Sequence, residues 1–272
     1  MIESIDTTKV EADQVGIWFL GQASFVLKLE NKVIYLDPYF SNWAEEMSKD
    51  GPVTFIRRYP SLIQPEEVTN ADLVLVSHDH LDHLDKWTFP SIMKHSPQAT
   101  AIMPHHSKQI AQQWGVNDRI VAIDGNETVS YGDIQVQSVK AAHAELELVD
   151  GGDRFLGFLI HYKDMTFYFA GDTVLYDGLV ETLQQHDIDI AMLPINGGDY
   201  FRTNLGIVPN MNFQEAAELT VAIEANMLIP YHYDLFTCNQ ENPSYLVDYL
   251  YQHYPKQAYH VMALGERFIW TK

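Results

Sequence analysis

The chain has 272 residues with a hydrophobic fraction of 46%, and its 37 acidic side chains against 17 basic ones give a formal net charge of −20. The hydrophobic fraction excludes an intrinsically disordered chain, because disorder requires low hydrophobicity together with high net charge. The negative charge argues against a DNA or RNA partner, since nucleic-acid binding takes much of its affinity from Lys and Arg contacts to phosphate.

Cysteine usage and hydropathy set the expected compartment. Cys238 has no second cysteine to pair with, so no intrachain disulfide forms. No apolar stretch is long enough to cross a bilayer, and the first residues lack the basic start and apolar run of a signal peptide. We therefore expect a cytoplasmic protein without a membrane partner.

Short apolar segments rich in β-branched and aromatic residues recur along the chain, which is typical of buried or half-buried strands. Examples of these segments are Ile17–Leu20, Phe25–Leu29, Val33–Leu36, Leu73–Ser77, Ile134–Val139, Phe155–Ile160, Thr166–Ala170, Ile188–Pro194 and Met227–Pro230.

Helical patterns lie between some of these strands. Start and stop signals predict helices over Ser107–Trp114 before Gly115, from the capping box Asn212/Glu215 to about Glu224, and from Asn242-Pro243 toward His253. The stretch from Ser41 to Glu67 is the least regular, and we expect it to form a loop or small helical insertion near the site. Alternating strands and helices predict a single α/β domain over residues 1–272, with two similar halves that each form a sheet covered by helices.

The strongest chemical signal follows the predicted strand Leu73–Ser77, where three imidazoles and one carboxylate occur as His78-x-His80-x-Asp82-His83. Alternate side chains of an extended chain point the same way, so His78 and His80 can face one ion. After a turn, Asp82 and His83 can reach a second ion. Imidazole and carboxylate ligands together suit zinc, manganese or iron. An accidental polar loop would rarely carry four ligand-type residues at this spacing.

Three further candidates, each just past a predicted strand, are His143, Asp172 and His232. Ligand sites of α/β sheets form where loops leave the carboxyl ends of strands, so all three point toward one end of the fold. Taken singly, each is equally well a structural histidine or a turn residue. Their shared placement is what favours a common site.

Together these residues resemble the metallo-β-lactamase fold superfamily, and within it the branch of ascorbate-6-phosphate lactonases and related metal-dependent hydrolases. The matching pieces are Leu20-Gly21-Gln22-Ala23-Ser24-Phe25, Leu36-Asp37-Pro38, the histidine motif, His143, Ala170-Gly171-Asp172-Thr173 and His232. The resemblance implies a four-layer αβ/βα sandwich. It also implies a ligand set, with His78, His80 and His143 on the first metal, Asp82, His83 and His232 on the second, and Asp172 bridging the two.

The same resemblance implies roles around the ions. Asp37 is similar to an outer carboxylate that orients a ligand histidine, although Asp before Pro38 is also typical of a simple turn. A bound dication lowers the pKa of its water, which gives a hydroxide able to attack a carbonyl carbon or phosphorus. Asp82 and Asp172 are the predicted catalytic residues, and Asp82 would orient the water or carry protons. We expect one or two divalent transition-metal ions, zinc or manganese, and the resemblance allows a homo-oligomer.

Substrate contacts are expected from the loop after Ile188–Pro194, where glycines would let the backbone approach a ligand. Asn196 would hydrogen-bond a substrate oxygen, and Arg202 would pair with a phosphate or carboxylate. A glycine-rich turn followed by a surface arginine explains the same residues. Arg57 and Arg58 are further anion-binding candidates, which salt bridges or a solvated loop explain equally well.

The preferred function is hydrolysis of a small molecule, with a lactone or a phosphorylated sugar-like lactone as the first choice. A phosphodiesterase of the same fold is one alternative. A metal-binding scaffold without catalysis is an alternative of another class. A flavin-diiron redox protein fits less well, because such proteins usually carry Glu in the motif where this chain has His80.

Overall fold

The computed structural model describes residues 1–272 and contains two seven-stranded mixed sheets. The strands of the first half are β1 (Gln14–Gly21), β2 (Ser24–Leu29), β3 (Lys32–Leu36), β4 (Leu73–Leu75), β5 (Thr100–Pro104) and β6 (Ile120–Ile123). The chain's last strand, β16 (Arg267–Thr271), joins this sheet, whose order is β16-β1-β2-β3-β4-β5-β6. The first three pairings are antiparallel and the last three are parallel.

The second sheet repeats this plan. Its strands are β7 (Thr128–Tyr131), β8 (Ile134–Lys140), β11 (Leu156–Tyr162), β12 (Met165–Phe169), β13 (Ile190–Pro194), β14 (Met227–Tyr231) and β15 (Ala258–Tyr259), and a small hairpin of β9 (Leu148–Val149) and β10 (Gly152–Asp153) stands apart. The order is β15-β14-β13-β12-β11-β8-β7. Again three antiparallel pairings adjoin three parallel ones. The two halves are therefore similar, as the sequence predicts.

Eight helices accompany the sheets. They are α1 (Ile2–Thr7), α2 (Trp43–Ser48), α3 (Phe89–His95), α4 (His105–Gln113), α5 (Leu179–Leu183), α6 (Tyr200–Asn204), α7 (Phe213–Ala222) and α8 (Pro243–His253), with one short 3₁₀ turn at Pro65–Glu67. None of them is long and apolar enough to span a membrane.

Strand alternation builds the layers, because successive side chains point to opposite faces of a sheet. Ile17 and Phe19 of β1 enter a core between the two sheets, which side chains of both sheets form. Trp18 and Leu20 point the other way, into a second core that α1, α3 and α4 cover. A third core lies between the second sheet and α5, α7 and α8. The result is the expected four-layer αβ/βα sandwich.

The predicted elements agree with this architecture. Every cited apolar segment overlaps a strand, although the strand predicted over Leu73–Ser77 ends at Leu75. The capping box at Asn212 and Glu215 is present at the start of α7. Asn242 accepts a hydrogen bond from the backbone of Ser244 at the start of α8. The irregular stretch contains α2 and the 3₁₀ turn, as expected of a loop with a small helical insertion.

Phe158 tests the core between the sheets, because its side chain is fully buried there. We expect Phe158→Ala to lower the free energy of unfolding by about 3–5 kcal/mol through lost burial and the cavity left behind. Urea denaturation followed by circular dichroism measures this. Tyr251→Ala, at a side chain that is 78% exposed, is the matched control and should change stability little. Equal losses in the two variants would contradict the assignment of this core.

Candidate metal centre

Five loops meet at one edge of the sandwich, and each follows the carboxyl end of a strand. The loop after β3 carries Asp37, and the loop after β4 carries residues 78–83. The loops after β8, β12 and β14 carry His143, Asp172 and His232. Parallel strands end at the same edge of a sheet, which is why residues so far apart in sequence meet here.

The seven predicted ligand residues come together in two adjacent groups. In the first group the side chains are His78, His80, His143 and Asp172, and in the second they are Asp82, His83 and His232. Within each group the potential ligand atoms all lie within 4.8 Å of one another. Imidazole nitrogens and carboxylate oxygens at this spacing match the donor set of zinc or manganese.

Asp172 lies between the two groups and touches both. Its Oδ2 is 3.4 Å from Nε2 of His143 and 3.2 Å from Nε2 of His232. Its Oδ1 is 3.4 Å from Nε2 of His83. One carboxylate is thus placed to serve both groups, which is the geometry of a bridging ligand.

Three buried nitrogen or oxygen atoms of the site make no hydrogen bond within the protein. They are Nε2 of His78, Nε2 of His83 and Oδ1 of Asp172. A buried polar atom without a hydrogen bond is costly, so native structures rarely leave one unsatisfied. Three such atoms within the two adjacent groups fit bound cations, which would satisfy all of them.

The Nδ1 atoms of three of the histidines make polar contacts on the side of the ring away from the centre. Nδ1 of His83 is 2.6 Å from Oδ2 of Asp37, and Nδ1 of His143 is 3.1 Å from the carbonyl oxygen of Pro209. Nδ1 of His78 is 2.9 Å from Oγ of Ser77. In each ring this leaves Nε2 directed into the centre, the usual way in which an outer contact orients a metal-binding imidazole. The contact predicted for Asp37 is therefore present.

Gln22 belongs to the site although no role is predicted for it from the sequence. Its Nε2 donates to Oδ2 of Asp82 at 2.7 Å and lies 3.1 Å from Nε2 of His232. Its backbone N–H donates to the carboxylate of Asp234, and its carbonyl accepts from the backbone N–H of His232. The only sequence signal is its place in the tight β1–β2 turn, where it adopts a φ of 58°.

Asn196 and Arg202 lie behind the site rather than in it. Asn196 is fully buried, and its amide bonds Asn210 on one side and Asn239 on the other. Nη1 of Arg202 donates to the carbonyl of Asn196 and to Oδ1 of Asn239, while its Nε pairs with Asp199. The direct substrate contacts expected of both residues stay a prediction.

The two other candidate anion-binding residues, Arg57 and Arg58, hold the irregular stretch Ser41 to Glu67 in place. Arg57 donates to the carbonyl oxygens of Tyr39 and Ser41 and stacks on the ring of Tyr39. Arg58 donates to the carbonyl of Asp234. Backbone carbonyls, and not the salt bridges considered from the sequence, therefore account for this pair.

A cleft opens directly over the two groups, with a cavity of about 190 Å³. His80, Asp82, His143, Asp172 and His232 lie on its floor. The irregular stretch contributes Ala44 and Phe55, and the segment after α6 contributes Gly206, Ile207 and Val208. The space suits a small molecule that reaches both groups at once.

Residues 32–233 match the family model described as the beta-lactamase superfamily domain. The chain belongs to the metallo-β-lactamase superfamily. A metal-dependent hydrolase from Desulfitobacterium hafniense is 27% identical over 94% of this chain and 99% of its own length. A probable L-ascorbate-6-phosphate lactonase from Escherichia coli is 23% identical over 89% of this chain and 75% of its own.

The fold agrees with that of a solved structure. A metallo hydrolase from Ignicoccus hospitalis superposes with a TM-score of 0.71 at 19% identity, covering 95% of this chain and 99% of that one. The predicted fold and the predicted enzyme class, a metal-dependent hydrolase, are therefore confirmed.

Protonation differs between the two groups of this metallo-β-lactamase site. Burial lowers the pKa of His143 to about 4 and holds that of His78 well below its usual value. Burial acts the same way on His83 and His232, but the carboxylates of Asp172 and Asp82 outweigh it. They raise the pKa of His232 to about 9 and that of His83 well above its ordinary value. The second group thus carries protons that a metal must displace.

This difference predicts a pH dependence of metal binding. A metal needs the neutral imidazole, and His232 is protonated below its pKa of about 9. The affinity of the second group for Mn²⁺ should therefore fall by about tenfold or more for each pH unit below 9. Calorimetric titrations at pH 6.5, 7.5 and 8.5, in buffers of different ionisation enthalpy, measure both affinity and protons released. An affinity that stays constant across this range would contradict the assignment.

Asp37 provides a second test, because its carboxylate accepts from Nδ1 of His83 without touching the cleft. We expect Asp37→Asn to weaken metal binding by about 10- to 100-fold, the usual effect of losing such an outer contact. Competition with a chromophoric chelator measures this, and circular dichroism checks folding. Asp133→Asn, at an exposed carboxylate, is the matched control. Equal metal affinity in both variants would contradict the role of Asp37 in orienting His83.

Proposed function

We propose that this hydrolase opens a small lactone at a centre of two divalent metals, zinc or manganese. His78, His80 and His143 would hold the first ion, Asp82, His83 and His232 the second, and Asp172 would bridge them. The observation that carries the proposal is the position of Asp172 between two groups of ligand-type side chains, three of whose buried nitrogen or oxygen atoms make no hydrogen bond.

Bound divalent metals supply Lewis acidity and activate water near neutral pH. The chain's own contribution at the second group centres on Asp82. Burial raises the pKa of this carboxyl, but His83 and His232 lower it below its ordinary value, so it is ionised at neutral pH. Gln22 fixes Oδ2 of Asp82 by a hydrogen bond, and the residue faces the cleft. We therefore assign to Asp82 the role of accepting a proton from water and delivering it to a leaving alkoxide.

The cleft favours a compact ester over a bulky substrate. A cavity of about 190 Å³ accommodates a lactone ring with a short substituent. The lactonase activity named for the Escherichia coli relative points to the same reaction class, at an identity of 23%. No Lys or Arg lines the cleft, so a phosphate group away from the metals would find no cationic side chain there. Ring opening at the ester carbonyl is the reaction that fits these observations.

His80 and His143 test the proposal together, since each lines the cleft and belongs to the first group. We expect His80→Ala and His143→Ala to lose bound metal and all lactonase activity above the uncatalysed rate. Elemental analysis and a pH-indicator assay with γ-butyrolactone measure the two effects. His253→Ala, at an exposed histidine far from the motif, should retain both. Undiminished hydrolysis by a metal-free His80→Ala variant would overturn the proposal.

A further inference from the structure

The walls of the cleft are apolar. Apart from the proposed ligands, Gly206 and Asn239, the lining side chains are Ala44, Phe55, Leu81, Ile207, Val208 and Phe236. Phe55 and Phe236 form one side, with ring centroids 5.3 Å apart. A substituent that extends from the reacting group of a substrate therefore contacts apolar side chains.

Cations near the cleft are already engaged elsewhere. Arg202 pairs with Asp199 and donates to Asn239. Arg154 pairs with Asp79 and Glu147. Neither arginine lines the cleft, and no lysine does. A phosphate or carboxylate on the substrate would therefore lose its hydration against apolar walls without a cation to replace it, which is unfavourable.

Asn239 is the one uncharged polar side chain in the lining, and its amide has a fixed orientation. Its Oδ1 accepts from Nδ2 of Asn196 at 3.2 Å and from Nη1 of Arg202 at 3.0 Å. Asn196 is itself fixed, because its Oδ1 accepts from Nδ2 of Asn210. With Oδ1 of Asn239 held by two donors, its Nδ2 makes no hydrogen bond within the protein.

We infer that the substrate is an uncharged lactone with an apolar substituent, and that the Asn239 amide N–H donates to one of its oxygens. This inference rests on the proposed lactone hydrolysis and names the class of substrate. The apolar walls take up the substituent, and burial of carbon there stabilises the complex. Asn239 selects for an acceptor oxygen, since a substrate without one would leave a fixed donor unsatisfied. Asn196, Asn210 and Arg202 act through Asn239 as positioning residues.

Three matched compounds test the substrate class on the metal-loaded enzyme. They are γ-butyrolactones that carry at the γ-carbon a butyl group, a hydroxymethyl group or the phosphate ester of that hydroxymethyl group. We expect kcat/KM to be highest for the butyl compound, by roughly fourfold for each additional buried methylene. The phosphate ester should be the poorest substrate. Preference for the phosphate ester would overturn the inference while leaving lactone hydrolysis intact.

A different outcome separates this inference from the proposed function. If none of the three lactones is hydrolysed, the proposed function fails. The affinities of the same compounds, measured by calorimetry, then decide the inference alone. Tighter binding of the butyl compound than of the phosphate ester supports an uncharged apolar ligand, and the reverse order overturns it.

Asn239→Asp tests the donor, because it keeps an acceptor oxygen for Arg202 and replaces the N–H group by a second oxygen. We expect kcat/KM for the butyl lactone to fall by about 10- to 100-fold, the usual effect of losing a buried hydrogen bond. Metal content and the unfolding midpoint should stay unchanged, which a purely structural role would not predict. Asn117→Asp, at an exposed position, is the control. Unchanged kcat/KM in Asn239→Asp would refute the contact.

Val208→Lys tests the walls independently of Asn239, because Val208 is only half-buried on the segment after α6 and should tolerate the change. A cation there should improve kcat/KM for the phosphate ester relative to the butyl lactone by about tenfold or more, as an ion pair with phosphate forms. Val221→Lys, on α7 and outside the cleft, should leave the ratio unchanged. An unaltered ratio in Val208→Lys would count against the role of the walls.

Discussion

The buried carboxylate of Asp172 is the contact on which the rest of the site depends. It touches the rings of His83, His143 and His232, which come from three different loops. A buried charge is tolerated only where opposite charge or hydrogen bonds surround it, so the loops after β4, β8 and β14 must converge on the end of β12. The sandwich satisfies this need because its two sheets pack face to face and end at one edge.

Local backbone geometry at this edge is unusual for the residues that occupy it. Gln22, Asp37 and His232 have φ values of 58°, 39° and 62°. These lie in the left-handed region, which is unfavourable for residues other than glycine. Such conformations persist only where the surrounding structure holds them. Here the backbone of His232 donates to Gln22, and the backbone of Ser77 donates to Asp37 at 2.7 Å. Gln22 and His232 thus hold one another in position, and Ser77 holds Asp37.

Much of the fold, and the meeting of the seven candidate ligand residues at one edge, can be predicted from the sequence, because both depend on local signals. β-Branched runs mark the strands, and the motif after β4 concentrates four ligand-type residues in one loop. Gln22 and Asn239 have no such signal, since their partners lie 60 and 43 residues away. The pairing of β16 with β1 joins the two ends of the chain and has no local cause either. The sequence places Asn196 in the loop after β13, but it does not reveal that the amide bonds Asn210 and Asn239.

The charge of the chain and the character of the cleft both bear on the exchange of the proposed substrate for its product. A formal net charge of −20 creates a negative potential around the molecule, although salt confines it to about 8 Å at physiological ionic strength. An uncharged lactone approaches through this potential without repulsion, whereas hydrolysis converts it into a hydroxy acid with a carboxylate. Apolar walls without Lys or Arg give that new charge no partner beyond the proposed metal ions. The features that admit an uncharged ester therefore also weaken the binding of its ionised product.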